Sequence, residues 1–167
     1  MNTKEVLMDY LLDPMRMIEK EAYMPFSSQF FIPKPEFVEW CKKTYPDANW
    51  VDCGCGQGQV TKLLQDNGVS VLAIDLYAKD NAVTEVLEMS APMFPFGENM
   101  VGLICRPCRG AWIHATIIKV VESGCPCVYV GKESHFDADL APLPYKVQLV
   151  LEDIGDDGEN LWLIQIK

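Results

Sequence analysis

Residues 51–58 read Val-Asp-Cys-Gly-Cys-Gly-Gln-Gly. Three glycines alternate with other residues just after a short apolar run, Trp50–Cys53, and just before a helical pattern over 58–67. That arrangement is a strand, a tight loop and a helix start. Glycine lets the backbone turn sharply and approach another molecule closely, and a helix N-terminus offers unpaired N–H groups. Gly68 stands in the C-terminal capping position of the same helix. Residues 69–74, VSVLAI, then form an apolar strand of the kind buried on both faces of a parallel sheet.

The alternation continues along the chain. Residues 83–88 form an edge strand, 100–105 a buried strand, 110–122 an apolar helix ended by Ser123–Gly124, and 127–131 another strand. Residues 146–153 and 161–166 alternate with period two around Gly155-Asp156-Asp157-Gly158, a hairpin signal. Five strands interleaved with helices, then a hairpin, predict an α/β fold: a doubly wound, seven-stranded mixed sheet with a C-terminal antiparallel hairpin. Ahead of it, Phe37, Val38, Trp40 and Cys41 give the helix 36–44 an apolar face, and Pro46 ends it. Residues 25–35 carry three prolines and read as a loop. Leu7, Leu11, Met15 and Ile18 suggest one or two short helices over 1–24. Residues 1–35 are thus expected to be an extension packing on a single domain, 36–167.

The chain has 167 residues, 24 acids and 14 bases, a formal charge of -10, and 49% hydrophobic residues. This is the balance of one globular domain. The negative charge counts against a diffuse grip on nucleic acid without a partner. No run of 18 apolar residues predicts a membrane span. The first residues lack a basic segment ahead of a long apolar one, so the expected setting is cytoplasmic and reducing. Seven cysteines include the pairs Cys53/Cys55, Cys105/Cys108 and Cys125/Cys127. A metal or redox protein built on these pairs is one reading. Packing of a small buried residue is the favoured one, with no metal site assigned.

Asp75 ends the second strand, 21 residues after Gly54. A carboxylate there can accept two hydrogen bonds from a ribose diol, the arrangement that binds nucleoside cofactors at the switch point of an α/β sheet. The glycines give G-x-G-x-G, whereas the dinucleotide fingerprint is G-x-G-x-x-G; Gln59 stands at its third glycine. No base is near the loop before Lys62, and Asp52 would repel a phosphate. S-Adenosylmethionine suits these residues better, because it keeps the ribose, has no phosphate and carries a sulfonium and an ammonium.

The segment resembles the first signature of class I S-adenosylmethionine-dependent methyltransferases, an acid followed by G-x-G-x-G. Val71–Asp75 looks like their second strand with its ribose-binding acid. Ser90-Ala-Pro-Met-Phe-Pro-Phe96 looks like their Asp-Ala-x-x-Leu-Pro-Phe stretch, with Ser90 in place of the acid. Val101–Ile104, 117–124 and 125–130 look like the fourth strand, the following helix and turn, and the fifth strand; the resemblance spans 36–166. It implies a Rossmann-like methyltransferase fold. It also implies that Gly54, Gly56 and Gly58 pack under the methionine and ribose, Asp52 holds the ammonium, Asp75 binds the ribose hydroxyls, Leu76 lies against the adenine, and Ser90 and Ala91 edge it.

The fourth strand departs from the amino-methylating relatives. Where they carry Asn/Asp-Pro-Pro-aromatic, this chain has Cys105-Arg-Pro-Cys-Arg109. Arginine is not a proton acceptor at neutral pH, so methylation of adenine, cytosine or glutamine by that route is not expected. Arg106, with Arg109, is a candidate clasp for a substrate carboxylate or phosphate. His135, in the loop after the fifth strand, is the candidate general base, and His114 reads as structural. The expected activity is methyl transfer to a small molecule or a protein side chain. A non-catalytic S-adenosylmethionine-binding subunit is the alternative, and an oligomer or partner protein stays open.

Overall fold

The computed structural model describes residues 31–77, 80–108, 110–141 and 143–167. The expected helices over 1–24 lie outside the described residues. The sheet has seven strands: β1 Asn49–Cys53, β2 Val71–Asp75, β3 Val86–Glu88, β4 Met100–Cys105, β5 Cys127–Gly131, β6 Lys146–Leu151 and β7 Asn160–Gln165. Their order is β3-β2-β1-β4-β5-β7-β6. All neighbours pair in parallel except β7, which is antiparallel to both β5 and β6. The seven-stranded mixed sheet and its closing hairpin are as expected.

Among the described residues, four helices flank the sheet: α1 Pro35–Thr44, α2 Gln59–Asp66, α3 Trp112–Glu122 and the short α4 Phe136–Asp139. The strands β1, β4 and β5 are buried on both sides, which is why their sequences are nearly continuous apolar runs. Trp50, Val101, Leu103, Val128 and Val130 face α1 and α2, meeting Phe37, Cys41 and Leu64. Val51, Cys53, Ile104, Cys127 and Tyr129 face the other way, onto Ile113, Ile117, Val120 and Val121 of α3. Successive strand residues point to opposite faces, so one strand supplies both cores.

Two connections are simpler than a fully doubly wound sheet would have. Among the described residues no helix joins β2 to β3, and a 3-10 turn, Ala91–Met93, is the helical element between β3 and β4. The expected edge strand 83–88 is shortened to Val86–Glu88 because residue 83 bonds elsewhere: its N–H donates to Gln57 O at 2.8 Å. The tail of the leading segment is tied down. Phe31 is buried, Pro33 bridges to Gly155, and the Lys34 N–H donates to Ile154 O at 2.8 Å. This brings residues 31–34 to the turn between β6 and β7, at the carboxyl edge of the parallel strands. Among the described residues, no helix is long and apolar enough to cross a membrane.

Gly102 shows how closely α3 lies on β4. A Cβ added there would stand 2.7 and 2.9 Å from the two Val120 methyl carbons. Gly102→Ala is therefore expected to destabilise the protein by about 1–3 kcal/mol through overpacking. Adding Val120→Ala makes room, so in chemical denaturation the double variant should lose less than the sum of the two single losses.

Candidate functional site

The glycine loop leaves β1 in a run of left-handed turns. Gly54, Gly56 and Gly58 have φ of 68°, 61° and 84°, values that disfavour any residue with a Cβ. The Gly54 and Cys55 N–H groups both donate to Ile74 O, at 2.9 and 3.1 Å, so the loop folds over the end of β2. The Gly56 N–H donates to Asp75 Oδ2 at 2.9 Å, and the Tyr77 N–H to Asp75 Oδ1 at 3.0 Å. Asp75 is thus oriented by one backbone donor on each oxygen. Each oxygen keeps further lone-pair capacity, and the side chain is only half-buried.

Asp52 lies lower, on the α2 side of β1. It is buried and accepts a hydrogen bond from Thr61 Oγ1 at 2.7 Å. Thr61 stands in the first turn of α2, whose N-terminal end favours negative charge. Burial nevertheless dominates and pushes the Asp52 carboxyl up to about 6; the Thr61 bond opposes the rise, and the nearby Asp75 charge adds to it. Two carboxylates under one loop make a place that gains from a positive charge.

The other expected contacts lie along the same edge. Leu76 follows Asp75 and is 38% exposed. Ser90, half-buried, starts the 3-10 turn after β3, and Ala91 is buried beneath it. The Met89 N–H donates to Asp75 O at 2.9 Å, which fixes the end of β3 beside that of β2. The carboxyl ends of β1, β2 and β3 therefore gather Asp52, Gly54, Gly56, Gly58, Asp75, Leu76, Ser90 and Ala91 in one region. Two neighbours were not foreseen. A Cβ on Gly54 would stand 2.7 Å from the Trp112 ring, and one on Gly58 would stand 2.7 Å from the Thr84 methyl. Trp112 is legible in the sequence only as an apolar residue of the expected helix 110–122; its contact with Gly54 spans 58 positions of sequence.

The expected substrate clasp has one described member. Arg106 does stand at the end of β4, with φ 40° and its N–H donating to Val130 O at 2.7 Å. Its guanidinium turns to the β6–β7 turn. It bonds Asp157 Oδ2 at 3.0 Å, with Glu159 Oε1 at 3.7 Å, and Lys132 meets the same Asp157 oxygen at 2.6 Å. A nearby surplus of acid took the cation. Arg109 lies outside the described residues. His135 closes a 3-10 turn, Glu133–His135, at the same sheet edge and is half-buried. His114 Nε2 donates to Asp139 O at 2.7 Å, the structural role expected of it.

All seven cysteines are free thiols, and among the described residues no group of three or more His, Cys, Asp or Glu is placed to hold a metal ion. Burial pushes the thiols of Cys41, Cys53, Cys105 and Cys127 up, which disfavours the thiolate that metal binding or redox chemistry needs.

No family model and no curated protein matches the sequence. Solved structures do match. A magnesium protoporphyrin IX methyltransferase from Synechocystis PCC 6803, with S-adenosylmethionine bound, is 12% identical with a TM-score of 0.53, over 99% of this chain and 98% of that one. A 1,6-didemethyltoxoflavin-N1-methyltransferase from Burkholderia thailandensis, with S-adenosylhomocysteine bound, is 9% identical with a TM-score of 0.53, over 98% and 89%. A 23S rRNA methyltransferase is 12% identical with a TM-score of 0.51, over 82% and 70%.

The fold is that of the class I methyltransferases. Identities of 9–12% carry the architecture, and those three neighbours act on a porphyrin, a small heterocycle and an RNA. The methyltransferase fold therefore leaves the chemistry to be argued from this chain's own residues.

Asp52 gives the region a measurable signature. Its folded-state value, about 6, lies above the ordinary 3.8, so its favourable contribution to folding is complete below about 3.8 and is lost as pH rises through 6. A rise of that size corresponds to roughly 3 kcal/mol. Asp52→Asn has no charge to bury. Its stability relative to wild type should climb by up to that amount between pH 4 and pH 7.5 in urea unfolding; a flat difference would contradict the buried-acid account.

Proposed function

We propose that the chain binds S-adenosylmethionine at the carboxyl ends of β1–β3 and transfers its methyl group to a small molecule or a protein side chain. The observation that carries this is the Asp75 carboxylate, held by the Gly56 and Tyr77 N–H groups at the switch point, with buried Asp52 beneath the same loop. The residues fit the cofactor's chemistry. Asp75 has lone pairs left for a ribose diol, Asp52 and Asp75 supply negative charge for a cation, and the nearby Lys62 is paired with Asp66 at 2.9 Å. The half-buried Ser90, the buried Ala91 after it and the exposed Leu76 supply the flanks for a flat base.

When bound, the cofactor supplies a methyl group on a cationic sulfur. The chain's share is placement and charge. Asp75 orients the ribose end, Asp52 attracts the cationic end, and His135 takes the proton where the substrate nucleophile carries one. Arg106, pinned to Asp157, holds the β6–β7 turn against β4 and so shapes the substrate side. That commitment of Arg106 also favours a second reading, a subunit that binds the cofactor without turning it over.

Calorimetry separates these. Wild type should bind S-adenosylmethionine saturably, and Asp75→Ala should weaken binding by about 10- to 100-fold, the loss of charged hydrogen bonds. Affinity for this cation should fall as pH drops through about 6, where Asp52 becomes protonated, and Asp52→Asn should flatten that dependence. Absence of binding to wild type ends both readings. Binding without methyl transfer across amine, hydroxyl, carboxylate and thiol acceptors selects the second. In an active enzyme, His135→Ala should lower kcat by about 100-fold or more and leave cofactor affinity unchanged.

A further inference from the structure

Thr61 stands in the first turn of α2 and is wholly buried. An aliphatic residue of the same shape would pack there with no polar group to satisfy. A threonine hydroxyl within a helix commonly turns back to a carbonyl one turn earlier. This one crosses to β1 instead, where Oγ1 donates to Asp52 Oδ2 at 2.7 Å. The Thr61 N–H acts on the same carboxyl and also favours its charged form. Gly58, the N-cap of α2, makes no side-chain cap, and no acid stands in the first turn of that helix. Asp52 meets this end of α2 from the neighbouring strand.

Other neighbours oppose the charge on Asp52. Burial strips its water, and the Asp75 carboxylate at the end of β2 repels it. The thiols of Cys53 on β1 and Cys105 on β4 are held protonated, so they offer no counter-charge. Lys62, next to Thr61, is turned to Asp66 at 2.9 Å. A hydrogen bond to a carboxylate is stronger than one to the neutral acid, so the Thr61 hydroxyl stabilises the anion selectively. We propose that Thr61 is a positioning residue for the cofactor: by holding Asp52 in its charged form, it sets how strongly the site attracts a cation at neutral pH. This rests on the cofactor reading above.

One arm of the test needs no ligand. Carbon-13 labelling of aspartate carboxyls follows the Asp52 titration, its resonance being the one missing from Asp52→Asn. In Thr61→Val the midpoint should rise above the wild-type value of about 6, and Thr61→Ser, which keeps the hydroxyl, should restore it. An unmoved midpoint in Thr61→Val overturns the proposal. Should Thr61→Val not fold, Thr61→Ala removes the same hydroxyl and must raise the midpoint likewise. The second arm measures the dissociation constant of S-adenosylmethionine. Thr61→Val should weaken binding by about 2- to 10-fold at pH 7 and by much less at pH 8.5, where Asp52 regains its charge. In the Asp52→Asn background the same substitution should change affinity by less than about 2-fold. A merely structural threonine would weaken binding equally at both pH values and in both backgrounds, and that result refutes the assignment. If wild type binds no ligand, the cofactor reading fails, and the Asp52 titration alone decides whether Thr61 holds the charge.

Discussion

The hydrogen bond from the Gly56 N–H to Asp75 is the constraint on which the site depends. It ties the middle of the glycine loop to the end of β2, across the β1–β2 pairing that sets Cys53 opposite Ile74. The loop reaches Asp75 only because three residues take left-handed conformations, and glycine alone does so at little cost. Once the loop is folded back, its neighbours fall into place: Gln57 O accepts the N–H of residue 83, Thr84 fills the space over Gly58, and the ring of Trp112 closes on Gly54. A side chain at Gly54 or Gly58 would therefore be opposed twice, by backbone conformation and by a neighbour already in contact.

Asp52 is a cost to stability inside the sheet. A well-folded core gains nothing from a carboxyl held near pKa 6 under a helix, and one hydroxyl hydrogen bond does not offset its burial. An apolar residue would serve packing better at that point of β1. The acid makes sense if a cation arrives, since a positive ligand lowers the carboxyl's pKa and converts an unfavourable burial into binding energy. The thiols nearby contrast with it. Cys53 and Cys105 are raised for the same reason, burial, but a protonated thiol is an uncharged packing group and carries no such penalty.

The sheet and the glycine–acid pair were legible because each rests on local chemistry. Strand runs such as Cys127–Gly131 are continuous apolar segments, and Gly54, Gly56, Gly58 and Asp75 are residue types that few other environments require in that order. What was not legible depends on distant partners. The pattern over 83–88 reads as a strand throughout, yet residue 83 is drawn to Gln57 and the strand starts at Val86. Trp112 looked like an ordinary apolar helix residue, because its contact with Gly54 crosses the sheet edge. The guanidinium of Arg106 was expected to face a ligand. Its partner, 51 residues away in a hairpin turn, could be located only once β5, β7 and β6 were in order.

That last displacement changes how the chain's charge is understood. Arg106 stood out as a cation in a protein of net charge -10, and an isolated cation suggests an anionic ligand. In the folded chain it is not isolated. Residues 152–159 bring Glu152, Asp153, Asp156, Asp157 and Glu159 to the carboxyl edge, and the cations bonded to them are Lys34, Arg106 and Lys132. Among the described residues, five acids thus share three bases at that turn. An ion pair inside the fold therefore accounts for this cation, and the charge of the chain as a whole did not foretell it.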